Sequence, residues 1–346
     1  MSSSTGTPSP GPQTSTSPDS APSGKTVPGA VPVTRSALIW TALAVVYLVW
    51  GSTYLAIQVT VDTVPPLLSA AARFSTAAIV LAVILRVRRG AGALRVDRRQ
   101  LAGAALVGVL LLTGGNGLVV LAESGPSGVA VPSGIAALLV AGVPLLVVLL
   151  RMVTGDRPGL LSLLGVAVGL LGLVLLVLPS DGPGAVPVAG ALTVTAGAAS
   201  WALGSFLSGR ISMPADPFVA TVYEMFAGAA ALALIAALRG EPARFDPAAV
   251  SARSWLALGY LVLAGSLVAF TAYVWLLHHA PVSLVATYAY VNPAVAVALG
   301  ALLAAEPVTA QVIAGGAVIV FGVALVIATE RPGQATQRRQ RADHRR

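Results

Sequence analysis

Long apolar stretches alternate with short polar connections between residues 36 and 329. Each stretch is about 20 residues long, which is the length that a helix needs to cross the hydrocarbon core of a bilayer. The strands of a membrane β-barrel are shorter and alternate apolar with polar positions, and these stretches do not alternate. We therefore predict an all-α integral membrane protein. The ten predicted transmembrane helices cover residues 37–57, 66–85, 100–121, 127–150, 159–178, 186–208, 217–238, 254–277, 281–303 and 308–328.

The two ends of the chain differ from this apolar region. Residues 1–35 are rich in Ser, Thr, Pro and Gly and have little apolar surface to bury, so we expect a disordered cytoplasmic tail. Residues 330–346 carry six arginines and are expected to form a second, basic cytoplasmic tail near anionic lipid. Between the tails, residues 36–178 and 179–329 form two units of five predicted helices each.

The composition supports a membrane protein. Apolar residues make up 56% of the chain and charged residues only 10%, whereas soluble domains have about 25% charged residues. The absence of cysteine excludes disulfides, thiolate metal sites and cysteine catalysis. Since the chain has only three histidines, we expect no metal site, and we expect no cofactor.

The distribution of positive charge predicts the orientation in the membrane. If the N-terminus is cytoplasmic, 17 of the 21 basic residues lie on the cytoplasmic side, as the positive-inside rule requires. The connection 239–253, with three arginines on the outside, is the exception. We therefore expect a multi-pass protein of the cell membrane with both termini in the cytoplasm. Because topology accounts for the net charge of +8, the expected partners are the lipid bilayer and a small-molecule substrate, with no nucleic acid.

The two halves of the chain match each other weakly but in order. Each half has five predicted helices, an odd number, so homologous halves must cross the bilayer in opposite orientations. This arrangement predicts two inverted five-helix repeats, the architecture of many secondary transporters. The matching positions, 151 residues apart, are Trp50 with Trp201, Pro66 with Pro217, and Arg73 with Glu224.

Short motifs stand in order along the predicted helices. They are Trp50-Gly51-Ser52-Thr53, Ala72-Arg73-Phe74, Val143-Pro144-Leu145-Leu146, Gly155-Asp156-Arg157-Pro158, Ser200-Trp201-Ala202-Leu203-Gly204, Asn292-Pro293-Ala294 and Ala305-Glu306-Pro307. Together they resemble the motifs of the EamA-type family of the drug/metabolite transporter superfamily, in which Glu is more common at the position of Asp156. The resemblance covers essentially all of residues 36–329 and implies a ten-helix bundle with a central cavity that exports small metabolites or amphipathic compounds.

Two charged residues lie within predicted helices at matching places in the two halves. A lone charge in hydrocarbon costs roughly 2.5–3.5 kcal/mol, so Arg73 and Glu224 should face the interior of the bundle. Two interpretations stay open for them. They form a structural ion pair or reach towards the membrane surface, or they meet a zwitterionic or charged substrate in a cavity, with Glu224 able to take a proton.

Aromatic and amide side chains complete the predicted cavity. Tyr47, Trp50 and Tyr54 recur at spacings of three and four residues and therefore share one face of the first helix. For any single residue, helix packing is the alternative to substrate contact. The candidate substrate-binding residues are Tyr47, Trp50, Tyr54, Arg73, Asn116, Trp201, Glu224, Tyr288, Tyr290 and Asn292.

Prolines and glycines predict how the helices bend and pack. Pro144 and Pro293 lie in the middle of the fourth and ninth segments, where loss of a backbone donor should kink or break a helix and provide a hinge. The glycines of residues 165–172 should let a neighbouring helix approach closely. The fifth and tenth segments lack charged residues, so we place them away from the cavity, as support or as the face of a possible homodimer.

Two functions other than export are compatible with parts of the sequence. An intramembrane serine protease could use Ser127 as its nucleophile with His278 or His279 as the base, but the predicted topology separates these residues by a bilayer thickness. A sugar-phosphate or nucleotide-sugar carrier would need several cations in its cavity, and Arg73 is the only base within the spans. We therefore expect a transporter of other small molecules, with no catalytic residues.

The predicted topology can be tested with tags. An epitope tag at either end should be reached by antibody only after the membrane is permeabilised, because both ends are predicted to be cytoplasmic. An external C-terminal tag would contradict the count of ten spans.

Overall fold

A computed structural model describes residues 33–125, 130–178 and 186–329, and the regular structure in these ranges is helical. Residues 1–32 of the predicted disordered tail, the basic tail 330–346 and Ser127 lie outside the described residues, whereas residues 33–35 of the predicted disordered tail begin the first helix. Nine of the described helices are long and apolar enough to cross a membrane, and Tyr288–Ala304 is a shorter apolar helix. The helices are α1 Val33–Val61, α2 Pro66–Arg89, α3 Arg98–Glu123, α4 Ser133–Val153, α5 Leu160–Val177, α6 Val188–Ser208, α7 Pro217–Leu238, α8 Ala252–His279, α9 Tyr288–Ala304 and α10 Ala310–Thr329.

Ten helices follow the ten predicted segments, so the predicted fold class is confirmed. A chain that crosses the bundle ten times places the two ends of its described part on the same side. We call this the termini side and the other the opposite side. The predicted boundary between the halves, at residue 178, adjoins residues 179–185, which lie outside the described ranges, and stays a prediction.

The fourth helix is interrupted where proline was expected to act. α4 consists of Ser133–Val140 and Val143–Val153, separated by a turn at residues 141–142. Pro144 is the second residue of the second segment, where its missing N–H costs nothing. α4 also begins later than predicted, at Ser133, because Pro132 cannot continue a helix from the residues before it.

The ninth helix is interrupted ahead of its proline. A short helix, Val282–Val285, is followed by a turn at residues 286–287, and α9 then continues through Pro293 to Ala304. In the turn, the hydroxyl of Thr287 donates to the carbonyl of Leu284 at 2.5 Å and also shares a hydrogen bond with the hydroxyl of Tyr47. The break thus lies six residues ahead of Pro293, in a turn that the bond between Thr287 and Tyr47 holds against α1.

Matching helices of the two halves pack against each other in antiparallel pairs. Arg89, at the end of α2, forms an ion pair with Asp216, which caps the start of α7. At the other end of this pair, the carboxylate of Glu241, just after α7, accepts a hydrogen bond of 2.9 Å from the backbone N–H of Leu68, near the start of α2. Since α2 and α7 are equivalent positions that run in opposite directions, the two halves are inverted.

The fifth and tenth helices form the second antiparallel pair, and glycines bring their backbones together. A Cβ atom on Gly172 would lie 2.6 Å from the backbone nitrogen of Ile319, and one on Gly322 would lie 2.6 Å from the Cα of Gly169. The side chain of Gln311 donates to the carbonyl oxygen of Leu178 at 2.8 Å. The predicted close approach is confirmed, with α10 as the neighbouring helix.

The other helices of one half also pack against the matching partners in the other half. α1 packs against α8 and α9, and its counterpart α6 packs against α3 and α4. Likewise, α7 packs against α3 and α2 packs against α8. A cavity lies among these eight helices, with the α5–α10 pair at the side.

Two wide helical turns occupy equivalent places in the halves. Val109–Asn116 of α3 and Leu261–Val268 of α8 are π-helical, and each ends in a bond between residues five apart, from the N–H of Gly117 to Leu112 and from the N–H of Ala269 to Ala264. Such turns are rare and frequently occur at functional sites. Both border the central cavity.

The glycine contact between α5 and α10 predicts the effect of one methyl group on stability. Gly322→Ala should lower the free energy of unfolding by about 1–3 kcal/mol, because the added Cβ overlaps the backbone of α5. The thermal unfolding midpoint in detergent measures this change.

Gly259→Ala is the matched control, since a Cβ on this helical glycine meets nothing within 4 Å. It should leave the midpoint unchanged or raise it slightly, because Ala favours helix over Gly. Equal midpoints for the two variants would contradict the packing.

Candidate substrate cavity

The bundle encloses a cavity of about 530 Å³ at its centre. Sites for small molecules commonly measure about 300–1,000 Å³, so the volume suits a ligand of modest size. Its lining comes from α1, α2, α3, α4, α6, α7, α8 and α9. Along their described lengths, α5 and α10 contribute no lining residue, in agreement with their predicted supporting position.

Most of the candidate residues line this one cavity, although their contact with a substrate stays a prediction. Pro144 and Pro293, the proposed hinges, also line it. Tyr47 and Tyr290 are not among the lining residues: Tyr47 packs in the apolar cluster around Leu43 and Leu276. The candidates that line the cavity are Trp50, Tyr54, Arg73, Asn116, Trp201, Glu224, Tyr288 and Asn292.

Arg73 is held in the cavity wall by the wide turn of α8. Its guanidinium Nε donates to the hydroxyl of Ser266 at 3.0 Å, and that hydroxyl donates to the carbonyl of Leu261 at 3.0 Å. The guanidinium carbon lies 4.9 Å from the ring centre of Phe74. Arg73 is only 7% exposed, and its Nη1 is buried and has no hydrogen-bond partner among the described residues. This nitrogen is therefore an unsatisfied donor within the wall, on a positively charged side chain that lines the cavity.

Glu224 also lines the cavity, on α7, and is half-buried. Its backbone lies against α3, since a Cβ on Gly108 would lie 2.5 Å from the Cα of Glu224. Among the described residues, no basic side chain comes within 4.0 Å of its carboxylate. The ion pair between Arg73 and Glu224, one of the two interpretations left open by the sequence, is thus absent from this conformation, and both residues line the cavity.

Three aromatic rings form a cluster on one wall. The ring of Trp50 lies 5.1 Å from that of Tyr273 and 5.3 Å from that of Tyr288, and the two tyrosine rings are 5.7 Å apart. The indole N–H of Trp50 donates to the carbonyl of Gly265 at 3.1 Å, which fixes the indole against the wide turn of α8. Tyr288 is the first residue of α9, whereas the predicted segment 281–303 placed it inside the helix. The cluster presents a flat apolar surface to the cavity.

The corresponding wall in the other half is aliphatic. Trp201 occupies the position that matches Trp50, but Ala122 and Ala137 stand 151 residues before Tyr273 and Tyr288. A Cβ on Gly115 would lie 2.8 Å from the ring of Trp201, so this indole packs directly on the wide turn of α3. The two halves therefore offer chemically different walls.

Two amides add polar points to the lining. The side-chain oxygens of Asn116 and Asn292 are buried and have no hydrogen-bond partner among the described residues. Both residues line the cavity, so together with Arg73 they leave one donor and two acceptors unsatisfied within an otherwise largely apolar wall. This distribution is typical of pockets in which a few polar groups orient a ligand.

Sequence reasoning did not select Ser266 and Tyr273, which complete the Arg73 wall and the aromatic cluster. Ser266 and Tyr273 are seven residues apart, and residues at that spacing share one face of a helix. This spacing within the eighth segment could therefore have identified the face of α8 that borders the cavity.

The cavity reaches the termini side and is closed on the opposite side. Lining residues of α6 run from Gly197 to Ser208, the last residue of that helix. On the opposite side, the carboxylate of Glu306 accepts hydrogen bonds from the backbone N–H groups of Ser133, at 2.7 Å, and Gly134, at 3.1 Å. This interaction ties the α9–α10 connection to the start of α4.

Asp156 occupies the position that matches Glu306 but makes a different contact. Its carboxylate accepts a hydrogen bond of 3.0 Å from Nε of Arg151, at the end of α4, on the termini side. The side chain of Asp is one methylene shorter than that of Glu. The side on which the cavity opens thus lacks, at this matching position, the helix-capping bond that closes the opposite side.

Comparison with known proteins agrees with this architecture. Residues 35–178 and 188–328 each match the model of the EamA-like transporter family. The chain is 39% identical, over 285 residues, to the uncharacterized inner membrane transporter YedA of Escherichia coli strains K12 and O157:H7, covering 82% of this chain and 89% of the relative. A crystal structure with 24% identity superposes with a TM-score of 0.57, covering 86% of this chain and 99% of that chain. The chain belongs to the EamA-like transporter family of membrane proteins.

Proposed function

We propose that this protein is a secondary transporter that exports small, amino-acid-like or amphipathic compounds from the cell by alternating access. The observation that carries the proposal is the central cavity, in which Arg73 and Glu224 lie unpaired on a largely apolar wall. We place the protein in the cell membrane with both termini cytoplasmic, so that the cavity opens towards the cytoplasm.

The charges of the cavity suit a zwitterion. A buried donor without a partner costs about 1–3 kcal/mol, and a ligand carboxylate at Nη1 of Arg73 would remove that cost. A ligand ammonium group would complement the carboxylate of Glu224. The rings of Trp50, Tyr273 and Tyr288 would contact the apolar part of the same molecule.

Glu224 also provides a means of coupling transport to protons. It is the one acidic residue among the described residues that line the cavity. A carboxylate can bind either a proton or a cationic substrate, and the two compete when they share a site. Exchange of one for the other at Glu224 would drive export with the inward proton gradient.

The inverted repeats support alternating access. Equivalent helix pairs, with one cavity between them, can open to either side by exchanging the roles of the two halves. The interruptions of α4 and α9 fall beside the cavity, and Pro144 and Pro293 line it, so bending there would alter its shape. The hinge role of these prolines remains part of the proposal.

A carrier of sugar phosphates or nucleotide sugars is less consistent with this cavity. Phosphate groups require several positive charges, and Arg73 is the one basic residue among the described lining residues. The protein therefore serves, in this proposal, substrates without phosphate.

The proposal can be tested with purified protein in proteoliposomes. Under an imposed pH gradient, radiolabelled zwitterionic amino acids and amphipathic amines should show flux that saturates with concentration, while a nucleotide sugar should show none. Flux of the nucleotide sugar alone would contradict the assignment, and flux that rises linearly without saturation would indicate a channel.

Glu224→Gln tests proton coupling. The variant should fold and bind substrate more weakly, through Arg73 and the aromatic rings, and it should no longer respond to the pH gradient because an amide cannot exchange a proton. Transport measured at several pH gradients, in vesicles of fixed protein content, gives the result.

Asp62→Asn is the matched control, because Asp62 is an exposed carboxylate just after α1 and away from the cavity lining. It should transport like the parent protein. A Glu224→Gln variant with unchanged pH dependence would refute the coupling role.

Arg73→Gln tests carboxylate recognition. Charged hydrogen bonds contribute about 1.5–3 kcal/mol, so KM for a zwitterionic substrate should rise by roughly 10- to 100-fold. KM for a related amine without a carboxylate should change little. Because both substrates are measured on the same preparation, a loss of folded protein cannot mimic this ratio. Equal changes for the two substrates would indicate a structural role for Arg73.

A further inference from the structure

Glu123, the last residue of α3, is a buried carboxyl group that the proposed transport pathway does not use. It is 2% exposed, and neither of its carboxyl oxygens has a hydrogen-bond partner in the part of the chain that the structure describes. It does not line the central cavity. A buried ionised carboxylate without donors is strongly unfavourable, so the neutral acid is the form that this site accommodates.

A second carboxyl group interacts with it, and an unpartnered hydroxyl lies beside that second group. Glu306 interacts electrostatically with Glu123 and is held at the start of α4 by two backbone N–H groups. The hydroxyl of Ser133 is fully buried and has no hydrogen-bond partner among the described residues. A Cβ on Gly300 would lie 3.2 Å from this hydroxyl and would also touch the carboxylate of Glu306, which places these two groups side by side.

These two carboxyl groups differ in their surroundings. Glu306 receives two N–H donors at a helix start, where the helix dipole also favours negative charge. Glu123 receives no donor and faces the negative charge of Glu306. Of the groups around it, Tyr54 on α1 and Glu306 are titratable and Ser133 on α4 is neutral, and no described basic residue pairs with it. Glu123, which lacks any such donor, is therefore the carboxyl group suited to hold a proton.

We propose that Glu123 is a proton-binding site, distinct from Glu224, and that its proton stabilises the closed opposite side of the bundle. A proton from water binds the carboxylate of Glu123 and neutralises it beside the Glu306–α4 contact. Loss of this proton places two negative charges together at that contact and favours separation of α4 from the α9–α10 connection.

The site is connected to the cavity through one side chain. Tyr54 lines the cavity and interacts electrostatically with Glu123. The other half has no counterpart, since Val274 stands 151 residues after Glu123. Proton binding at Glu123 therefore affects one side of the transporter only. This inference extends the proposed export, but proton binding itself can be tested without a substrate.

Infrared spectroscopy of the full-length protein in lipid nanodiscs tests the proposal. At neutral pH the difference spectrum between the parent protein and Glu123→Gln should show a protonated-carboxyl C=O band. The same difference taken in a Glu224→Gln background should show it too, because Glu224 then cannot contribute. Glu123→Asp, which keeps a carboxyl group, should shift this band without removing it, which keeps the test available if Glu123→Gln fails to fold. Absence of the band from the difference spectra of the folded variants would overturn the proposal.

A metal cation is the competing occupant, and the same spectra distinguish it. At constant pH, replacing choline chloride with sodium chloride should leave the band unchanged if the site binds a proton. Loss of the band on addition of sodium would assign the site to a metal cation instead.

Amide hydrogen exchange tests the link to closure. At a pH above neutrality, the start of α4 should exchange more slowly in Glu123→Gln than in the parent protein, because the amide mimics the neutral acid permanently. Equal or faster exchange in the variant would separate the proton site from closure. Since no substrate is present, failure of either test is independent of the transport assay.

Discussion

Within hydrocarbon, a backbone N–H or a charged side chain must find its partner inside the protein, because lipid supplies none. This constraint explains why the few polar contacts of the bundle join helices that are distant in the chain. Glu241 receives an N–H at the start of α2, Glu306 receives two at the start of α4, and Ser266 holds Arg73 from α8. Each of these bonds links the two halves, so the same interactions that satisfy polar groups also assemble the repeats around a common cavity.

Close packing of helix backbones is the second interaction that holds the bundle together. Lipid is as apolar as the side chains it surrounds, so helices associate in it through van der Waals contact and not through the hydrophobic effect. The glycines of α5 and α10 allow such contact along most of both helices. This pair contributes nothing to the cavity lining, which leaves the other eight helices free to carry the site.

The sequence predicted the architecture better than the site. Ten apolar segments, the inverted orientation and the inward direction of Arg73 and Glu224 follow from composition and spacing, because the bilayer imposes length and polarity directly on the chain. The wide turns of α3 and α8 could not be anticipated, since residues such as Gly114 and Ser266 are also compatible with an ordinary helix. The break lies six residues ahead of Pro293, in a turn where Thr287 contacts Tyr47, and only the folded bundle brings these two residues together. Glu123 ends an apolar segment, and nothing in the sequence distinguishes it from an exposed loop residue.

The aromatic cluster beside Trp50 has no equivalent beside Trp201, and this difference has an energetic consequence. In a carrier built from two identical halves, the inward-facing and outward-facing conformations would be related by symmetry and equal in free energy. In this protein, when the two halves exchange roles, the aromatic wall around Trp50 takes the place of the aliphatic wall around Trp201. The two conformations therefore differ in packing even without a ligand. In the proposed cycle, the empty protein therefore has a preferred resting conformation that is encoded in the chain. The proton gradient and the substrate therefore act on two conformations that already differ in free energy.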